Sequence, residues 1–118
     1  MNNNYSIKYE KFWRAVMANI SVDKESIKNF CSRWGISELA FFGSVLREDF
    51  QAGSDIDVLV QFGPKSEHTL FDLVRMQEEL SGILGRSVDL VSRSGIESSR
   101  NYFRKNEILS SAKVIYEA

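Results

Sequence analysis

Asp55-Ile56-Asp57 is the sharpest chemical feature of this sequence. In an extended strand residues i and i+2 project from one face, so both carboxylates point the same way, with Ile56, Val58 and Val60 on the other. Two like charges that close repel and raise each other's pKa. A fold tolerates such a pair when a divalent cation sits between them, and hard carboxylate oxygens are natural ligands of Mg²⁺. The bland alternative is a solvated strand start; the apolar run that follows directly weighs against it. Asp89, inside Val88-Asp89-Leu90-Val91, is an acid in an apolar strand, costly there unless paired or metal-bound. Beside the first two it is a candidate third carboxylate, or the base that accepts a nucleophile's proton. Upstream, Gly43-Ser44 follows another apolar run. Glycine lets backbone approach a ligand closely, and the N–H groups after it can face an anion. Arg47, three residues on, shares the face of Ser44 if the segment is helical and can then reach a phosphate. Alone, a Gly-Ser after a strand is an ordinary turn.

Elements must hold these groups together. Apolar and β-branched runs predict strands over 39–42, 55–62 and 87–91. Helical spacing predicts a helix over 7–20. A second helix follows, capped by Ser21, with Ile27, Phe30, Cys31 and Trp34 on one face and Gly35 ending it. Residues 45–48 can make one helical turn. Thr69 caps a long helix with Leu70, Leu73, Val74, Gln77, Leu80 and Leu84 in period, closed by Gly85. Residues 95–101 read as a connection and 102–112 as a helix. Residues 113–116 fit either the end of that helix or a fourth strand. This order predicts an α/β (α+β) fold: a small mixed sheet of three to four strands with helices packed on one side.

The whole chain, 118 residues, reads as one domain, with N-terminal helices over 1–36 and a core over 37–118. Hydrophobic residues make up 43% and charged residues 26%, which is globular composition. The net charge is −1 and neither half is polarised, so no direct nucleic-acid binding is expected. No apolar run is long enough to span a membrane, and the first residues lack the core of a signal peptide. One cysteine, Cys31, and one histidine, His68, exclude an internal disulfide and a structural zinc site, and suit a reducing cytoplasm.

Gly43-Ser44, ten residues, then Asp55-x-Asp57, with a later strand acid at Asp89, resembles the nucleotidyltransferase superfamily that includes DNA polymerase beta. The stretches FGSVLREDFQAGSDIDVLVQF and LFDLVRMQEELSGILGRSVDLV, with the ending EILSSAKVIYEA, look like its minimal branch, the MntA-type antitoxins of HEPN–MNT toxin–antitoxin systems. The resemblance covers the chain from Ser37 onward. It implies a polymerase-beta-like nucleotidyltransferase fold. It implies that Asp55, Asp57 and Asp89 bind Mg²⁺ and carry catalysis, and that Gly43, Ser44 and Arg47 hold the triphosphate of ATP. The implied reaction is transfer of AMP to a tyrosine of the cognate HEPN ribonuclease toxin, within a hetero-oligomer, with release of pyrophosphate and block of the toxin. Many relatives carry Gly after the arginine; this chain has Glu48. Two other readings share the residues: an antitoxin acting by occlusion alone, and a nucleotidyltransferase of small molecules such as aminoglycosides.

The remaining residues have plainer readings. Arg100, Arg104 and Lys105, around Tyr102 and Phe103, form a basic cluster; a solvated helix face is expected, with a triphosphate or an acidic partner patch as the alternative. His68 is expected in a surface loop. Cys31 is expected as an apolar helix residue. Trp13, Trp34, Phe71 and Met76 are expected in the core, unless some face a partner.

Overall fold

The computed structural model describes residues 20, 22–47 and 53–118. The helix expected over 7–20, apart from Ile20, lies outside the described residues, as do Trp13, Ser21 and Glu48. Helix α1 (Lys24–Trp34) buries Ile27, Phe30 and Cys31. Its N-cap is Asp23, not the Ser21 expected: the Asp23 carboxylate accepts from the Glu25 N–H at 3.1 Å. Val22 is buried in the core, so the helix starts after it, at the first acid able to cap. Gly35 ends α1 in the left-handed conformation, φ 68°, where its N–H reaches the Cys31 and Ser32 carbonyls.

Strand β1 (Ile36–Phe42) runs into a short 3-10 turn over Gly43–Leu46. Strand β2 (Ile56–Phe62) follows, then helix α2 (Leu70–Leu84) and strand β3 (Val88–Ser92). A short helix α3 (Arg93–Glu97), absent from the sequence reading, is capped by the Ser92 hydroxyl. Helix α4 (Tyr102–Ser111) and strand β4 (Lys113–Glu117) complete the described chain. The ambiguous 113–116 stretch is therefore a strand; Ala112 turns to extended backbone at ψ 136° and releases it from the helix.

The sheet order is β3-β2-β1-β4. β1 pairs antiparallel with both β2 and β4, while β2 and β3 are parallel. Parallel neighbours need a crossover, which α2 supplies. Its N-terminus is locked by a capping box between Thr69 and Asp72. The fold class expected from sequence holds, with one correction: helices cover both faces, not one. Alternation along the strands creates two apolar faces, and each must be buried. Ile56, Val58 and Val60 join Phe41 against α1 and α2, while Ala40, Phe42 and Leu59 pack with Ile96 of α3 and Ile108 of α4.

Two further expectations change. Phe71 is 82% exposed and lies outside the core, as do Leu70 and Val74. The buried stripe of α2 is Leu73, Met76, Leu80 and Leu84, and at 100° per residue Phe71 lies about 160° around the helix from Leu73. His68 lies in the loop before α2, as expected, but its side chain is largely covered rather than at the surface. Its ring packs 4.5 Å from Phe62 and edge-on to Trp34, and its Nε2 lies 2.7 Å from the Trp34 carbonyl to which it donates. Nearby, Glu79 of α2 accepts from the Arg33 guanidinium and from Trp34 Nε1, tying α1 to α2. Cys31 is buried as expected; burial pushes its thiol up to about 12, so it has no thiolate at neutral pH. Among the described residues, no helix is long and apolar enough to cross a membrane.

Candidate active site

The parallel pairing of β2 and β3 sets Asp57 directly beside Asp89. The antiparallel pairing of β1 and β2 sets Phe42 beside Asp57, so the chain turns at Gly43 against the Asp57 side chain. Hydrogen bonds fix the start of β2: the Ile56 N–H donates to the Ser87 carbonyl at 2.9 Å, and Arg86 donates to the Ser54 carbonyl at 2.9 Å. Three separate strands thus deliver one glycine and two carboxylates to one end of one sheet face.

Gly43 has φ 76°, a conformation that favours glycine. A Cβ there would sit 2.4 Å from Asp57 Oδ2. The residue is small because the carboxylate comes this close. The 3-10 turn that follows is held by the fully buried Val45 and by the Arg47 N–H donating to the Ser44 carbonyl at 2.9 Å. Arg47 itself has extended backbone, φ −106° and ψ 156°, rather than the helical placement that sequence spacing suggested. It nonetheless lines a cavity of about 550 Å³ together with Gly43, Leu46, Asp57, Arg104, Glu107 and Lys113.

The carboxylates are not equivalent. Asp57 is half-buried at the cavity wall. Burial raises its pKa, the neighbouring charges of Asp89 and Asp55 raise it further, and Arg104 and Arg47 offset part of that rise. Asp89 stays half-exposed on the edge strand, 3.8 Å from an Arg104 guanidinium nitrogen. Asp55 precedes β2 and is exposed. The structure therefore brings Asp57, Asp89, Gly43 and Arg47 together. Asp55 reaches the group through its charge, from the rim. Among the described residues, no three acidic, His or Cys side chains form a closed metal cage. An open pair of oxygen donors still fits Mg²⁺, which commonly binds one or two carboxylates and completes its shell with water and substrate phosphates. Asp57, pressed by two like charges, is the group a cation would relieve.

Arg104, expected on a solvated helix face with a triphosphate or acidic partner as the alternative, is half-exposed and its guanidinium lies 3.8 Å from Asp89. Lys113 and Glu107 also line the cavity and were not singled out. Neither belongs to the basic cluster around Tyr102, and their place at the cavity depends on how Glu107 in α4 and Lys113 at the start of β4 fold back against the sheet. A second cavity, about 430 Å³, opens at the opposite end of β2 and β3 beside His68 and Arg93. Its charges are matched among themselves, Arg93 lying 3.6 Å from Glu97 and 3.8 Å from Glu38, and it lacks the carboxylate pair.

Residues 23–115 match the nucleotidyltransferase domain family. A relative from Methanocaldococcus jannaschii, provisionally named protein adenylyltransferase MJ0435, is 37% identical over 66% of this chain and 82% of its own length. Protein adenylyltransferase MntA of Thermococcus cleftensis is 35% identical over 60% of this chain and 70% of its own. A solved structure provisionally described as a minimal nucleotidyltransferase is 34% identical, with TM-score 0.58, covering 75% of this chain and 84% of that one. A toxin–antitoxin crystal structure with AMP-PNP shares the fold at TM-score 0.63 and 17% identity, covering 82% of this chain and 75% of that one. With its carboxylate pair, its close glycine and a match that spans most of its length, the chain belongs to the nucleotidyltransferase domain family.

Proposed function

We propose that this protein is an antitoxin that transfers AMP from Mg-ATP to a tyrosine hydroxyl of a cognate HEPN ribonuclease toxin. The observation that carries the reading is the register that sets Asp57 beside Asp89 and against Gly43. Two relatives that bear the name protein adenylyltransferase support the donor and the protein acceptor. In this reading Asp57 and Asp89, with Asp55 at the rim, hold Mg²⁺. Gly43 and Ser44 give the triphosphate a close approach to backbone, and Arg47 meets its charge. When bound there, Mg²⁺ would supply neutralisation of the phosphate charge. The tyrosine oxygen bonds to the α-phosphorus, the bond to the β-phosphate bridge breaks, and pyrophosphate leaves. Asp89 takes the hydroxyl proton. Such transfer asks for positioning and charge neutralisation rather than covalent chemistry from the protein.

The test is to incubate the purified chain with Mg²⁺ and α-labelled ATP, with and without any HEPN-type protein that a neighbouring gene encodes, and to weigh both by mass spectrometry. The expected result is a gain of one or more AMP masses on the neighbour, mapped to tyrosine, abolished by EDTA and reduced at least ~100-fold by Asp57→Asn. Neutralisation of the neighbour without mass gain, persisting in an Asp55→Asn/Asp57→Asn double variant, would establish occlusion instead.

A further inference from the structure

Arg104 has no part in the reaction as outlined, yet it is the cation that faces the carboxylates from the opposite element. Its backbone is fixed. The Arg104 N–H is capped by Asn101 Oδ1 at 3.1 Å, the next residue, Lys105, donates from Nζ to the Glu97 carbonyl at 3.0 Å, and Ile108 one turn on is buried. Its side chain is half-exposed, so the long arm can move about a fixed base. The guanidinium stands 3.8 Å from Asp89 and borders the same cavity as Gly43, Arg47 and Lys113. One arm therefore has two anionic destinations within one site: the carboxylates, and any phosphate chain lying in the cavity.

We propose that Arg104 is the built-in stand-in for the metal, neutralising the carboxylates when no cation is bound and moving onto the triphosphate when metal and nucleotide enter together. This rests on the nucleotidyltransferase reading. A divalent ion at Asp57 and Asp89 repels the guanidinium, and the triphosphate beside it attracts the same group. Arg104 thus competes with a bare metal ion but cooperates with the metal–nucleotide pair. A residue that merely stabilised α4 would move both affinities in the same direction, or neither.

The experiment measures Mn²⁺ binding to the full chain by electron paramagnetic resonance, without nucleotide and then with the non-cleavable donor analogue α,β-methylene-ATP. Arg104→Gln is compared with the wild type and with Arg104→Lys. Circular dichroism checks that each variant is folded. The expected result is opposite in sign for the two ligands: Arg104→Gln binds Mn²⁺ alone about two- to fivefold more tightly, the scale of one exposed charge pair, and binds the analogue several-fold more weakly. Arg104→Lys keeps the charge and stays near wild type for the bare metal. Unchanged or weaker Mn²⁺ binding in Arg104→Gln overturns the proposal. If the wild type binds both ligands and Asp57→Asn binds neither, that failure belongs to Arg104 alone. If the wild type binds neither ligand, the nucleotidyltransferase reading falls with it.

Discussion

On the face of the sheet covered by α1 and α2, Ile27, Phe30, Phe41, Val58, Met76 and Leu80 are shut off from solvent completely. On the face covered by α3 and α4, the buried set among the described residues is only Ala40, Phe42, Leu59, Ile96 and Ile108. That second face also carries Asp57, Asp89 and the inward-turned Arg104. The first face supplies most of the apolar burial that holds the domain together. The second must leave charged groups in reach of water and ligand, so its cover is thin. Stability and chemistry have been placed on opposite sides of the same four strands.

Cavity-forming substitutions break or sharpen this comparison most strongly. Phe41→Ala should cost about 3–5 kcal/mol and Ile108→Ala about 2 kcal/mol, read from urea unfolding at constant m-value. Equal losses would mean that the two faces share the load. A smaller effect concerns pH. Asp57 has a folded pKa above its unfolded value. Its contribution to stability is therefore full below the unfolded value of about 3.9 and lost as pH rises through the folded one. Asp57→Asn should be more stable than wild type at pH 7, by no more than about 1 kcal/mol since the group is only half-buried and solvent screens it, and the gain should vanish below about pH 4. Melting curves from pH 7 to pH 4 decide it. The smallest effect is on the packed side. Hydrogen bonds from Arg33 and Trp34 hold the Glu79 carboxyl below its usual range. That contribution is present above the unfolded value of about 4.3 and fades as pH falls through the folded one. Glu79→Gln should cost about 0.5–1 kcal/mol at pH 7 and less in acid, the reverse of Asp57→Asn; parallel pH profiles would erase the contrast.

Much of this was readable from residue order because local patterns determined it. The alternation around Asp57, the period of α2 and the glycines ending α1 and α2 are short-range signals, and the elements formed where they pointed. Of the residues that spacing selected, strand register sets Asp57 beside Asp89 and brings Gly43 against Asp57, while Asp55 stays at the exposed rim. What escaped depends on distant partners. Arg104 reads as a surface cation until α4 is laid across the sheet. Asp55 and Asp57 look alike in sequence, and only the strand start between them makes one exposed and the other half-buried. Leu70 and Val74 fit an apolar period yet face outward, because Leu73, Met76, Leu80 and Leu84 already fill the groove. His68 sits in a polar stretch, and nothing near it in sequence announces Trp34 and Phe62.

Gly43 gives the experimenter a steric shutter. Its missing side chain is the aperture through which the carboxylates meet anything at the turn, and a single methyl carbon there would stand 2.4 Å from Asp57 Oδ2. Closing that aperture alters neither the net charge nor the outer surfaces of α2 and α4. A protein silenced in this way would be a decoy with the native exterior, separating what the molecule touches from what it transforms.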